Sequence, residues 1–291
     1  MTFNLIAATD AHMCRSKLSL PRPATFYPSE ASVSWTDQHG IERTAGACLR
    51  QVWYRLTGTG DPSKTSPYSE WIFALGKAVE QILVEQYKQM GILVGNNIKF
   101  YDAKRNISGE LDVVLCDPKT NELFGVEVKS FYGYNAKKEI CGNTKVTGSP
   151  KTSQLLQTLI YVDLCKDLKI LDYFKLVYYS RDAADRKEFD VTVVDDNGLT
   201  RPVIDGTVDY RFTMEDVYTR YRTLKSHLEN NIVPPRDYAI AFSPEKVELL
   251  NKIGEISKTA MLEYKRNPAK NPVGDWNCRY CSYAQHCWSK E

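Results

Sequence analysis

Two groups of residues in this 291-residue chain have types and spacings that suit chemistry. The first is a carboxylate set with a lysine, Asp112 followed by Glu127-Val128-Lys129. The second is a thiol set, with Cys48 near the start and Cys278, Cys281 and Cys287 in a C-x2-C-x5-C run near the end. Two carboxylates brought together attract a hard cation such as Mg2+ or Mn2+. A lysine beside them can orient or help deprotonate a water and offset developing negative charge. These are the parts of a phosphodiester-hydrolysis site. Four soft thiolates suit an iron-sulfur cluster or zinc. Such a clip, closed over about 230 residues, would stabilise the fold by up to roughly 5 kcal/mol through loop closure.

The elements that must position the carboxylates are two strands, Ile107 to Cys116 and Glu122 to Phe131, flanking the turn-forming Pro118-Lys119-Thr120-Asn121. A hairpin with that loop pairs Asp112 with Glu127 and Glu110 with Lys129. Strand alternation then places these four on one face and Leu111, Val113, Val126 and Val128 on the other. Asp112 and Glu127 would have Cβ atoms about 4.5–5.5 Å apart, a like-charge pair that is destabilising without a cation between them. The alternative reading is a solvated charged face, with Glu110 and Lys129 as a surface ion pair worth about 0–1 kcal/mol.

Around the hairpin, Thr44 is expected to cap a helix that contains Cys48, Trp53 and Tyr54. The apolar spacing from Tyr68 to Met90 predicts a longer helix that carries Glu80. Gly133 to Pro150 reads as a flexible loop, followed by a helix from about Lys151 to Lys166 with Gln157 and Tyr161 on one face. Further strands are expected at Tyr173–Ser180 and Glu188–Val194, and further helices at Glu215–Asn230 and Ser243–Lys265. The pattern is mixed α/β. One domain is expected over 1–291, comprising an N-terminal extension (1–43), a core with helical insertions (44–266) and a cysteine segment (267–291).

Composition narrows the function classes. Hydrophobic residues make up 43% and charged residues 25%, with a net charge of +2. That balance excludes a polycationic coat, so nucleic-acid contact must come from a local groove. No apolar run approaches a membrane span or a secretory leader, and no G-x-x-x-x-G-K-[ST] loop for a nucleotide-driven motor is present. Eight unevenly placed cysteines fit a reducing, cytoplasmic setting better than a disulfide scaffold. Among the cysteines outside the thiol set, Cys116 and Cys165 read as small buried hydrophobes and Cys14 and Cys141 as incidental. His286 reads as a packing residue or a support behind the thiols, not as a substitute ligand, and Trp276, Tyr280, Tyr283 and Trp288 as shields for the thiol site, with stacking of one on a base as the alternative. Lys137, Lys138, Lys145 and Lys151 read equally as phosphate contacts or as a solvated loop.

Gly109-Glu110-Leu111-Asp112 followed by Gly125-Val126-Glu127-Val128-Lys129 resembles the core motif of the PD-(D/E)XK nucleases, in their RecB-like branch. Gly76-Lys77-Ala78-Val79-Glu80 resembles the branch's first helical motif, and Gln157-Thr158-Leu159-Ile160-Tyr161 its Q-x-x-x-Y motif, all in the family's order. Ala47-Cys48-Leu49-Arg50 and the terminal cysteine run resemble the split ligand set of the iron-staple members, among them the AddB nuclease domain and the CRISPR-associated RecB-like exonucleases. The resemblance spans about Ser29 to Trp288. It implies a restriction-endonuclease-like central mixed sheet flanked by helices, with N- and C-terminal helical parts joined by a 4Fe-4S cluster on Cys48, Cys278, Cys281 and Cys287. It further implies that Asp112, Glu127, the Val128 carbonyl and Glu80 hold Mg2+ or Mn2+, that Lys129 is catalytic, and that Gln157 and Tyr161 assist. Many relatives carry His where this chain has Glu80, so contact there through a water is the alternative. The implied function is a DNA exonuclease of recombination, repair, or viral or CRISPR DNA processing, working with a helicase, recombination or CRISPR-adaptation partner. The alternative is a DNA-end-binding or assembly subunit whose nuclease site is inactive or partner-dependent.

Overall fold

The computed structural model describes residues 4–15, 24–60, 62–63, 66–167 and 170–289. Its elements open with α1 (Leu5–Arg15), β1 (Ser32–Thr36), β2 (Glu42–Gly46), α2 (Leu49–Thr57) and α3 (Pro67–Gln89). Next come β3 (Leu93–Asp102), β4 (Ile107–Cys116), β5 (Leu123–Phe131), α4 (Tyr134–Cys141), α5 (Thr152–Asp167), β6 (Phe174–Ser180) and β7 (Arg186–Asp196). The chain finishes with β8 (Leu199–Ile204), β9 (Thr207–Val208), α6 (Met214–Glu229), α7 (Pro244–Lys252), α8 (Lys258–Arg266), α9 (Trp276–Arg279) and α10 (Ala284–Trp288). It separates into two compact units, one of Met1–Ala47 with Thr65–Thr223 and one of Cys48–Lys64 with Leu224–Glu291.

The first unit is built on a seven-stranded mixed sheet of order β3-β4-β5-β6-β7-β8-β9. Every neighbouring pair is antiparallel except β5 and β6, which run parallel. A parallel step needs a crossover, and α4 and α5 supply it. Val113, Leu115, Phe124, Val126, Val128 and Val177 share one sheet face and pack with Leu83 of α3. Register places Phe174 on the face of Gly125 and Glu127, and Tyr161 of α5 stacks on Phe174 with ring centroids 6.1 Å apart. Helices thus cover both faces, with Leu155, Leu156, Leu159 and Ile160 of α5 fully buried. The close approach of the Phe174 ring explains Gly125, since a Cβ there would meet the ring at 2.0 Å.

The hairpin register agrees with the expectation, Val113 pairing with Val126 and Cys116 with Leu123. Other expectations change. Thr44 lies in β2 and not at a helix start, because the 32–46 segment folds into the β1-β2 hairpin. That hairpin ends at Gly46, whose positive φ of 95° and tight seat against the Ala31 carbonyl only glycine tolerates. Cys48 therefore caps α2 from outside it. The segment Gly133 to Pro150 includes α4, anchored by the fully buried Ile140. Ser243–Lys265 is two helices, because Gly254 takes a left-handed φ of 80° and each half has its own serine cap, Ser243 or Ser257. Among the described residues, no helix is long and apolar enough to cross a membrane.

Candidate functional site

The β4-β5 ladder runs from Cys116 back to Val113 and goes no further. One residue on, where backbone pairing would set Asp112 opposite Glu127, the Asp112 side chain takes over. Its Oδ2 accepts the Val128 N–H at 2.9 Å. The strand pairing ends at the two carboxylates. Glu127 is 1% exposed; its Oε1 accepts from Lys129 Nζ at 2.5 Å, while its buried Oε2 has no hydrogen-bond partner. Lys129 thus pairs with Glu127, and not with Glu110 as the alternative reading of a solvated charged face would have it.

A buried carboxylate oxygen without a donor is costly, and here the Glu127 charge also acts on Asp112. Burial, and then the Glu127 charge, push Asp112 from an ordinary 3.8 up to about 7, with Lys129 opposing. Burial likewise raises Glu127 against the opposing pull of Lys129. For Lys129, burial acts downward, but Glu127 and Asp112 outweigh it and hold the ammonium above its ordinary value. The site therefore has two carboxylates that resist joint ionisation and one lysine that stays charged. A divalent cation would resolve that conflict, with the Glu127 Oε2 as one ligand atom.

Three further expected residues are brought to this place. Glu80 on α3 accepts from Lys77 Nζ at 2.7 Å, and its charge acts on Asp112, Glu127 and Lys129. Gln157 Nε2 donates to the Tyr161 hydroxyl at 3.2 Å, and that hydroxyl donates to the Glu110 carbonyl at 3.1 Å. Gln157 and Tyr161 thus tie α5 to β4 two residues from Asp112. Val128 is held by Asp112 at its N–H and by the core at its side chain. Two neighbours went unread in the sequence. Lys77 stands one helical turn before Glu80, and Asn97, in a left-handed φ of 52° on β3, accepts from Lys77 Nζ at 3.3 Å. The i, i+3 spacing of Lys77 and Glu80 was the available signal. Of the loop lysines, Lys137 pairs with Asp185 at 2.9 Å.

The second unit gathers the thiols. Cys48, Cys278, Cys281 and Cys287 all line one cavity, together with Tyr54, Arg236 and Trp288. All four are free thiols. Burial raises Cys48 and Cys281, and burial followed by the Cys48 charge pushes Cys278 up to about 11. Thiols so raised keep their protons unless a metal replaces them. Arg236 Nε points at Cys287 Sγ from 3.3 Å, and Arg50 Nη1 from 3.9 Å, placing positive charge beside that sulfur. As placed, no three His, Cys, Asp or Glu side chains among the described residues converge at coordination distance.

Around it, Tyr54 packs on Tyr283 at 5.4 Å and on His286 at 5.0 Å, and the Arg236 guanidinium lies 3.9 Å over Trp288. His286 is a packing residue, as expected. Trp276 and Tyr280 instead project into solvent at 67% and 84% exposure. Cys165 is buried, Cys116 half-buried and Cys14 exposed.

No family model matches the chain. No curated protein matches it. Among solved structures, one titled "Crystal structure of SSO0001" is similar across the whole of both chains, with 13% sequence identity and a TM-score of 0.46.

Proposed function

We propose that the chain is a metal-dependent DNA nuclease, an exonuclease with a restriction-endonuclease-like core and a structural iron-sulfur cluster. The observation that carries the reading is the unpartnered, buried Glu127 oxygen beside Asp112 and a charged Lys129, at the point where the β4-β5 pairing ends. Motif order supports it, with Glu80, Asp112, Glu127-Val128-Lys129 and Gln157 to Tyr161 following one another as in the RecB-like nucleases.

In this reading Asp112, Glu127 and the Val128 carbonyl hold Mg2+ or Mn2+, with Glu80 contributing directly or through a water. The bound ion would supply Lewis-acid activation of the phosphate and of a water. The Lys129 ammonium, kept charged by its two carboxylates, orients the attacking water and offsets negative charge growing on the phosphate oxygens. Tyr161 and Gln157 fix the β4 backbone, so that Asp112 does not drift from Glu127. In the second unit Cys48, Cys278, Cys281 and Cys287 would hold a 4Fe-4S cluster that braces the fold. The resemblance sets the work in recombination, repair, or viral or CRISPR DNA processing, alongside a helicase, recombination or adaptation partner.

The test is digestion of end-labelled linear DNA beside a closed circle, with Mg2+ or Mn2+, using anaerobically purified protein and Glu127→Ala as control. Loss of linear DNA alone, abolished in Glu127→Ala while iron content is unchanged, is the expected result. Loss of the circle as well would make the enzyme an endonuclease. Full cleavage by Glu127→Ala would reject the catalytic assignment, and no cleavage by the intact protein would favour a DNA-end-binding or partner-dependent subunit.

A further inference from the structure

The two guanidiniums at Cys287 come from different parts of the chain. Arg50 lies on α2 and Arg236 in the connection between α6 and α7, yet Arg236 Nε stands 3.3 Å and Arg50 Nη1 3.9 Å from the same sulfur. Both side chains are half-buried and held from behind. Arg50 Nε donates to the Pro234 carbonyl at 2.6 Å, while Arg236 donates through Nη2 to the Cys287 carbonyl and lies over the Trp288 ring. The two heads are thereby kept at the sulfur, where an ordinary surface arginine keeps its head in water. Cys48 and Cys278 instead feel the carboxylates of Asp237 and Asp275. Among the described residues, Cys287 is the thiol of the four that guanidiniums reach.

A brace needs four thiolates in place and gains from compensating charge at any of them. Two cations gathered on one ligand sulfur have a more particular effect. A cluster with four thiolate ligands is already anionic, and an added electron makes it more so. Fixed positive charge and hydrogen bonds at a ligand sulfur therefore stabilise the reduced form more than the oxidised one, and the reduction potential rises.

We infer that Arg236 and Arg50 poise the iron-sulfur site for one-electron reduction, which makes it a redox-responsive centre and not only a brace. The inference rests on the cluster reading of the four thiols and adds a function to it. One electron passes from a low-potential one-electron donor to the iron, with no bond made or broken and no proton moved, and the two guanidiniums offset the added negative charge. Arg236 and Arg50 are positioning residues that act through Cys287.

The test is a redox titration of the anaerobically purified full chain with dithionite and mediators, following the electron paramagnetic resonance of the reduced cluster, beside Arg236→Gln, Arg236→Lys and Arg50→Gln. Iron and acid-labile sulfide should be unchanged, and the midpoint should move to more negative potential in each variant. The largest shift is expected for Arg236→Gln, about ten-fold in the ratio of reduced to oxidised cluster, which is about 59 mV for a one-electron couple. Arg236→Lys should fall between it and the parent protein, since lysine keeps the charge and loses the fork. Arg50→Gln should move less than Arg236→Gln, its nitrogen lying 3.9 Å from the sulfur against 3.3 Å. An arginine with a merely structural role would alter the melting temperature and leave the midpoint in place. Equal midpoints at full iron content, a parent cluster that dithionite does not reduce, or loss of iron from all three variants would overturn the redox role and leave the cluster reading standing. A parent protein that holds zinc or no metal would sink both.

Discussion

Asp112 shows how a functional group strains the fold that holds it. Burial and the facing Glu127 keep its carboxyl at about 7 against an ordinary 3.8, so at intermediate pH the folded chain retains a proton that the unfolded chain releases. By linkage, stability in the absence of divalent cations falls as pH rises from about 4 through 7. Metal affinity should rise over the same range, because the cation displaces that proton. Asn fills the same volume, can still accept from the Val128 N–H, and carries no charge. Asp112→Asn should therefore flatten the pH slope of the thermal midpoint without Mg2+, and stabilise the protein by about 1–2 kcal/mol at pH 8 while abolishing cleavage. Melts of both proteins across that pH range check this, and an unchanged slope would mean that Asp112 is not a strained group. Lys129 has the opposite character, since its charge is secured by the carboxylates around it. Its ion pair is mostly buried, and removing either partner alone leaves an uncompensated charge.

At the scale of elements, the site depends on two attachments to β4. The first is the ladder to β5, which stops at Val113. The second is α5, whose Tyr161 hydroxyl holds the Glu110 carbonyl while its ring packs between Phe100 and Phe174. Tyr161→Phe keeps the ring packing and removes the hydroxyl, leaving a carbonyl and the Gln157 amide short of a partner. We expect a loss of about 1 kcal/mol in stability and a fall in kcat with little change in KM, because the hydroxyl acts on the placement of β4 and touches no substrate. Equal kcat in both proteins would show that α5 serves the core alone. The hairpin was legible because alternation and its turn residues agree, and Asp117 and Glu122 continue the same register into the loop. Strand β3 was not, because Gly95-Asn96-Asn97 interrupts its apolar residues and its side chains are mostly exposed, so no sustained period-2 apolar pattern marks it. The β1-β2 hairpin was hidden in the same way by Ser, Thr and charged residues.

For the whole molecule, the division into units assigns the cysteines. Cys48 and the three terminal cysteines all belong to the unit of Cys48–Lys64 and Leu224–Glu291, although most of the chain lies between them. If they share a cluster, Cys48→Ser should lose as much iron and acid-labile sulfide as Cys281→Ser, and both should unfold at lower temperature. Cys165→Ser, at a buried thiol outside that unit's cavity, should keep full iron content. Iron retained by Cys48→Ser would limit the site to the terminal run, and a stoichiometric zinc content in place of iron would identify a closed zinc site.

Local rules were enough to determine the chemistry on offer here. Residue type, two-residue alternation and helical spacing placed Asp112 with Glu127, Gln157 with Tyr161, and three thiols within ten positions of one another. These follow from the short-range geometry of strands and helices, which any stretch of chain obeys. The tertiary structure decided what no local period encodes. It closed the long loop that brings Cys48 to the other thiols, and it ended the β4-β5 ladder at the carboxylates. It turned Lys129 to Glu127, and it brought Asn97 of β3 to Lys77 beside Glu80. Each of these depends on which buried surfaces pack together and on how deeply the charges are buried, quantities that exist only once the sheet and its helices have assembled.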